Sequence, residues 1–339
     1  MNTRAPSGRT TVAGGLYRLL LTLIALLASA TVAADWHQES QAVMGTRVTV
    51  EAFFADDAQA AEVMATVMAE MHRIDHAFSP YKEHSELSRL NREAGQAWVP
   101  VSDELFDLLD KSTRISQLSG GAFDITYASA GRYYDYREGK IPDAQTLDQA
   151  VQAIDYRHVQ LDAQRKRVRF QHPAVYVDLG GIAKGHAVDR GIHLLEEAGV
   201  QQASVAAGGD SRIIGDRNGE PWSVGIAHPR QAGEMSAILP LENTAVSTSG
   251  DYERFFERDG VRYHHILDPQ TGRSADGAWS VTILGPEATF TDALSTTVFV
   301  LGPARGLALI NQMPGVDAII IDPTGELLFS DDLSELNAP

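Results

Sequence analysis

Residues 203–215, A-S-V-A-A-G-G-D-S-R-I-I-G, decide the fold. An apolar run, Ala203–Ala207, stops at Gly208-Gly209-Asp210, and a second run, Arg212–Gly215, follows at once. Glycine next to a short polar residue marks a turn, and short apolar runs bounded by turns read as strands. The pattern continues through Trp222–Ala227, Ala237–Leu241, Trp279–Leu284, Ala318–Ile321 and Leu327–Phe329. Ser247-Thr248-Ser249-Gly250-Asp251 reads as a loop among them, and Tyr263–Pro269 ends in a turn before Thr271-Gly272. Strands arriving in runs with few helices between them predict an α+β fold with largely antiparallel sheets, rather than a doubly wound one.

Upstream the pattern is mixed. Residues 41–54 alternate from Arg47 onward and predict a strand, with Met44-Gly45-Thr46 at its start. Asp56 or Asp57 then caps a helix carrying Val63, Met64, Val67, Met68, Met71 and Ile74 on one face, which stops by Ser79-Pro80. Residues 85–91 predict a short helix. Ser102 opens another that ends at Gly120-Gly121, and Thr146–Ile154 is expected to be helical. Val159–Phe170 predicts a hairpin. Val175–Leu179 reads as a short strand running into Gly180-Gly181-Ile182-Ala183-Lys184-Gly185 and a helix ending near Gly199. Such a turn can present backbone amides to a phosphate, although glycine also serves close packing. It is neither a Walker A loop nor the dinucleotide G-x-G-x-x-G.

Near the end stands Thr289–Gly302, T-F-T-D-A-L-S-T-T-V-F-V-L-G. Thr289 or Thr291 is placed to cap a buried helix. On that helix Asp292, Ser295 and Thr296 share one face. A carboxylate and two hydroxyls are hard oxygen donors, suited to magnesium. The same residues also serve as a cap with hydroxyls bonded back to helix carbonyls.

The chain has 339 residues. Residues 1–34 have the layout of a secretory signal peptide: Arg4, Arg9 and Arg18, then the apolar run Leu19–Ala28, then small residues to Ala34. The expected fold is therefore one large domain over 35–339, exported to the periplasm, or held at the inner membrane if the leader is uncleaved. No later segment is expected to span a membrane. Loss of the leader removes three arginines and no acid, taking the formal net charge from −17 to −20. So acidic a chain is a poor nucleic-acid binder, and it repels a phosphate-bearing ligand unless a cation intervenes. The absence of cysteine excludes disulfides, thiolate metal sites, a cysteine nucleophile and a lipoprotein anchor.

Eight segments match one family in register: M-G-T at 44–46, F-S-P-Y at 78–81, G-G-A-F-D-I-T at 120–126 and V-D-L-G-G-I-A-K-G at 177–185. They continue with A-G-G-D at 207–210, S-T-S-G-D-Y-E-R-F-F at 247–256, H-I-L-D-P-Q-T-G at 265–272 and D-A-L-S-T at 292–296. Together they resemble the ApbE family of FAD:protein FMN transferases. The resemblance implies a single α+β domain with a T-fold-like core that uses FAD and Mg2+ and transfers FMN to a threonine or serine hydroxyl of an acceptor flavoprotein, releasing AMP. It implies acceptors such as a subunit of a sodium-pumping NADH:quinone reductase or an Rnf-type complex. By the same resemblance Asp292, Thr296, Ser295 and the Gly181 carbonyl match metal positions. Met44, Tyr81, Ala122, Phe123, Asp124, Asp178, Lys184 and Ile266 match flavin-binding positions.

Transfer at a pyrophosphate asks for positioning and charge neutralisation. A base would help deprotonate the acceptor hydroxyl, and His265 is the candidate catalytic residue. Its neighbour His264 is the rival, but consecutive side chains on an extended segment face opposite ways. Asp210 and Asp251 follow glycines and read as turn residues. Two other readings keep the same residues: an FAD pyrophosphatase yielding FMN and AMP, and a secreted flavin-binding protein without chemistry.

Overall fold

The computed structural model describes residues 1–3 and 34–336. The leader reading of 1–34 falls outside the described residues except at its ends. Eight strands form the main sheet: β1 (Asp35–Val43), β2 (Thr46–Phe54), β3 (Ala203–Ala207), β4 (Asp210–Ile214), β5 (Ala245–Gly250), β6 (Ser280–Gly285), β7 (Asp317–Ile321) and β8 (Leu327–Phe329). Their order in space is their order in the chain, and every neighbouring pair is antiparallel. The expected α+β class with largely antiparallel sheets is what the fold has. β1 and β2 close a hairpin that the sequence reading began only at Arg47. Met44 and Gly45 form its two-residue turn at φ 56° and 70°, the left-handed pair that suits the twist of a tight hairpin.

Five principal helices accompany the sheet: α1 (Asp57–Phe78), α2 (Glu86–Glu93), α3 (Asp103–Leu118), α4 (Ala183–Glu197) and α5 (Ala288–Ile310). The first three carry the local caps that the sequence announces. Asp56, Ser85 and Ser102 each accept a backbone N–H of the first turn. The methionine-rich stripe of α1 is core, with Met64, Val67, Met68, Met71 and Ile74 all buried. The hairpin at Val159–Phe170 forms as read, from Val159–Asp162 and Arg167–Phe170.

α4 lies between α1 and α5, and glycine lets it approach both. A Cβ at Gly191 would stand 2.7 Å from the Met71 methyl, and one at Gly185 would overlap the Ala288 carbonyl. The cap of α5 is not Thr289 or Thr291, as the sequence suggested. Asp189, one face of α4 away, accepts the N–H groups of Ala288 at 2.9 Å and Thr289 at 2.8 Å, and the Thr289 hydroxyl at 2.5 Å. A side chain of another helix satisfies these orphan donors, which local spacing cannot reveal. α5 is broken at Gly302 (φ 74°, ψ 173°), just before Pro303. By length and composition Ala288–Ile310 is apolar enough to cross a membrane, against expectation, but half of that window is buried inside the fold. Val298 and Phe299 lie in the core with Val281, Ile283 and Ile320 of β6 and β7.

Two further readings are corrected. Val175–Leu179 is extended but pairs with no strand. Asn91 accepts the Val177 N–H and donates to its carbonyl, both at 2.8 Å, and Asp178 donates its N–H to the Ile125 carbonyl. Side chains and a loop take the place of a ladder. Ser247–Gly250 is strand β5 rather than a loop, because its hydroxyls find partners on α5 and β6.

Candidate functional site

The N-terminal ends of α4 and α5 meet the start of β4 and the end of β5. There Lys184 is paired with Asp210 and, at 3.4 Å, with Asp292 Oδ1. Asp292 Oδ2 accepts the Gly185 N–H at 3.0 Å. The two carboxylates are 1% and 2% exposed and the Lys184 side chain 26%, so with both carboxylates ionised the cluster carries one negative charge in excess. Burial first, and the Asp210 charge second, push Asp292 up to about 7. Burial alone would lower the Lys184 ammonium, but the two carboxylates outweigh it and hold it above the ordinary lysine value.

Hydroxyls stand beside this pair. Ser249 Oγ of β5 lies 2.8 Å from Ser295 Oγ and 3.2 Å from Thr296 Oγ1, and Ser295 donates back to the Asp292 carbonyl at 2.8 Å. Gly181 is tucked against Thr296 and Phe123, whose atoms would lie 3.4 and 3.3 Å from a Cβ there. The structure therefore gathers Gly181, Lys184, Asp292, Ser295 and Thr296, as the sequence reading expected. It adds Asp210 and Ser249, which that reading missed. In the sequence Asp210 reads as a turn residue, yet it opens β4 opposite Ser247 of β5. The A-G-G-D segment at 207–210, one of the matched motifs, was the available signal.

Among the described residues no three His, Cys, Asp or Glu side chains are grouped to hold a metal. A cation here would rely on hydroxyl and carbonyl oxygens as well as a carboxylate. Such an all-oxygen set beside an uncompensated buried charge fits Mg2+.

Apart from Lys184, in the cluster above, the flavin-position residues fall into two groups. Asp178, Met44 and Ala122 are partly exposed, and Tyr81 is 84% exposed. The other three are committed to the fold. Phe123 is buried, and Ile266 packs in the core beside α5. Asp124 accepts the N–H and hydroxyl of Thr126 and the Tyr156 N–H. It is pushed up by burial, and it fixes the loop that carries Ala122 and Phe123. Burial also raises Asp178, which accepts the Gly180 N–H at 2.6 Å.

The two histidines separate as alternation requires. His264 is buried edge-on against Phe299, with Nε2 2.7 Å from the Ala275 carbonyl, so that nitrogen carries the proton. His265 is half-buried, and its Nδ1 has no partner among the described residues. Burial, then the Arg254 charge, then His264 and Lys184, bring it down to about 3. Its ring is thus neutral at physiological pH.

The model of the ApbE family matches residues 44–320. The chain belongs to the ApbE family. All the site residues named above lie inside that match. The FAD:protein FMN transferase of Treponema pallidum (strain Nichols) is 35% identical over 308 residues, covering 85% of this chain and 84% of the relative. That of Klebsiella pneumoniae (strain 342) is 32% identical over 293 residues, covering 84% and 83%. Among solved structures, the Thermotoga maritima ApbE protein superposes with TM-score 0.82 at 33% identity, covering 90% of this chain and all of that one. The flavin transferase ApbE of Vibrio cholerae gives 0.79 at 27% identity, covering 89% of this chain and 99% of that one.

Proposed function

We propose that this protein is a Mg2+-dependent FAD:protein FMN transferase. It would move FMN from FAD to a threonine or serine hydroxyl of an acceptor flavoprotein and release AMP. The observation that carries the reading is the Asp210–Lys184–Asp292 cluster, its two carboxylates buried and, when both are ionised, one positive charge short, lined by the hydroxyls of Ser249 and Thr296. The relatives from Treponema pallidum and Klebsiella pneumoniae are named FAD:protein FMN transferases, which supports the transferase part of this reading.

Asp292, Thr296 and the Gly181 carbonyl would hold the metal, with Ser295 fixing Ser249 beside them. When bound, Mg2+ would neutralise charge gathering on the pyrophosphate oxygens. His265, neutral and with a buried, unpartnered Nδ1, would accept the proton of the acceptor hydroxyl. The hydroxyl oxygen bonds to the phosphorus on the riboflavin side, the bond from that phosphorus to the bridging oxygen breaks, and its electron pair leaves with AMP. Lys184 offers an ammonium donor at the same place, already turned inward by Asp210. Tyr81 presents an open ring face on which an aromatic ring of FAD can stack. The leader at 1–34 would deliver the domain at 35–339 to the periplasm. There, the acceptors would be exported subunits such as those of sodium-pumping NADH:quinone reductases or Rnf-type complexes.

The test is incubation with FAD, Mg2+ and an acceptor domain bearing a threonine flavinylation motif. Flavin fluorescence on the acceptor should survive denaturing electrophoresis, with one AMP per label. AMP without labelled acceptor would make the protein an FAD pyrophosphatase. FAD binding with neither product would leave a flavin-binding protein.

A further inference from the structure

Arg254 has no assigned task. It is exposed at the start of the hairpin formed by Phe255–Arg258 and Val261–His264. Its carbonyl accepts the His265 N–H at 3.1 Å, so this arginine and the candidate base are joined through the main chain. Its guanidinium lies over the Met44-Gly45 turn, with one terminal nitrogen 3.3 Å from where a Gly45 Cβ would stand. The other arginines of the hairpin are engaged. Arg258 donates to the Gly139 carbonyl, and Arg262 pairs with Glu257 and Asp251. The Arg254 side chain makes no hydrogen bond or ion pair among the described residues, in a chain with 45 acidic residues to choose from.

Its charge nevertheless bears on the groups already placed around the site. The Tyr81 hydroxyl, the Asp178 carboxylate and the His265 ring all feel it. His265 also feels Lys184. A dianion placed against this imidazole therefore meets two cations, one partly exposed and partnered by carboxylates, the other exposed and unpartnered. A guanidinium offers paired N–H donors matched to phosphate oxygens, and an unpartnered one loses no ion pair when it takes them.

We propose that Arg254 binds the pyrophosphate of FAD, as a phosphate-recognising residue for the same site. The inference rests on the flavin-transferase reading. Two ligands separate it from a structural role: FAD carries the pyrophosphate, and riboflavin carries no phosphate.

The experiment is titration of the full-length protein with each ligand, without acceptor, read by flavin fluorescence. Arg254→Ala should weaken FAD about 10- to 100-fold, the size of a lost charge-assisted hydrogen bond, and leave riboflavin unchanged. Arg254→Lys should recover part of the FAD affinity. Wild-type FAD binding should also weaken with salt more steeply than that of Arg254→Ala. Unchanged FAD affinity in Arg254→Ala would overturn the proposal. Equal losses for FAD and riboflavin would overturn it too, by pointing to a disturbed hairpin. An effect confined to the KM for acceptor, with FAD affinity intact, would make Arg254 an acceptor contact instead. A wild-type protein that binds riboflavin but not FAD would sink both this inference and the transferase reading.

Discussion

The site has a floor and a rim, and they are built on opposite terms. On the floor, Asp292, Ser295 and Asp210 are almost wholly buried, and each polar group is held by a named neighbour. At the rim, Tyr81 and Arg254 stand open. The floor has its geometry fixed before any ligand arrives, which is what phosphoryl-type transfer asks of a site. The rim keeps its binding groups free for the ligand. A substitution on the floor should therefore change stability as well as chemistry, whereas one at the rim should change affinity alone.

Asp292→Asn strikes the floor hardest. If Asp292 holds the metal as proposed, its removal should cost several kcal/mol of transition-state stabilisation, roughly a thousandfold in transfer rate. Its effect on stability should run the other way. Because the folded-state value of Asp292 is raised to about 7, the metal-free fold favours the protonated acid. That contribution is complete below the ordinary carboxylate range and is lost as pH rises through about 7. Thermal unfolding of metal-free wild type should thus fall in temperature between pH 4 and 7. The decline should be shallower in Asp292→Asn, and added Mg2+ should restore wild type only. An Asp292→Asn variant with full transfer activity would remove the metal assignment.

Gly185→Ala tests how tightly the floor is closed. The new methyl would overlap the Ala288 carbonyl and crowd the Asp292 Cβ. Ala is about 1 kcal/mol better than Gly in a helix interior, but overpacking against backbone costs up to about 3 kcal/mol. The overlap should win. A net loss of roughly 2 kcal/mol, measured by denaturant unfolding, is expected, along with reduced activity because the Gly185 N–H holds Asp292. A stabilised variant would mean that α4 and α5 can separate freely.

The contrast between floor and rim also explains what the sequence disclosed. The strand runs and the helices capped by Asp56, Ser85 and Ser102 were legible, because a cap or a turn is read within a few residues. The strand Ser247–Gly250 was not. Serine, threonine and glycine read as loop until Thr291, Ser295 and Thr282 supply the partners. Asp189 as the cap of α5, and Asp210 as a partner of Lys184, depend on contacts across 100 and 26 residues of sequence. Periodicity carries no such information. Asp292, Ser295 and Thr296 were legible as hard oxygen donors on one helical face, Gly181 only through motif resemblance, and the fold brings the four together.

His265 lies between floor and rim, half-buried with one nitrogen unpartnered. His265→Ala should slow transfer by about a hundredfold, the lower end for a lost general base. Because the folded-state ring is held down to about 3, wild-type kcat should show no acid limb near 6.5. The unfolded chain takes up that proton first, so stability from this residue is lost as pH falls from about 6.5 toward 3. His265→Ala should lack this loss. Normal transfer by the variant across the pH range would end the base assignment.

Tyr81→Ala should have the smallest effect and test the rim most cleanly. With 84% of the residue exposed, little packing is lost, and stability should stay within about 0.5 kcal/mol of wild type. If the ring stacks on FAD, its removal costs about 1 kcal/mol of binding, roughly fivefold in Kd. Tyr81→Phe keeps the face and should bind as wild type does. Unlike Arg254→Ala, Tyr81→Ala should weaken riboflavin and FAD alike if it is the flavin ring that stacks. A loss for FAD alone would place the adenine on Tyr81. A fall in stability without any change in affinity would show that this part of the rim belongs, like the floor, to the fold.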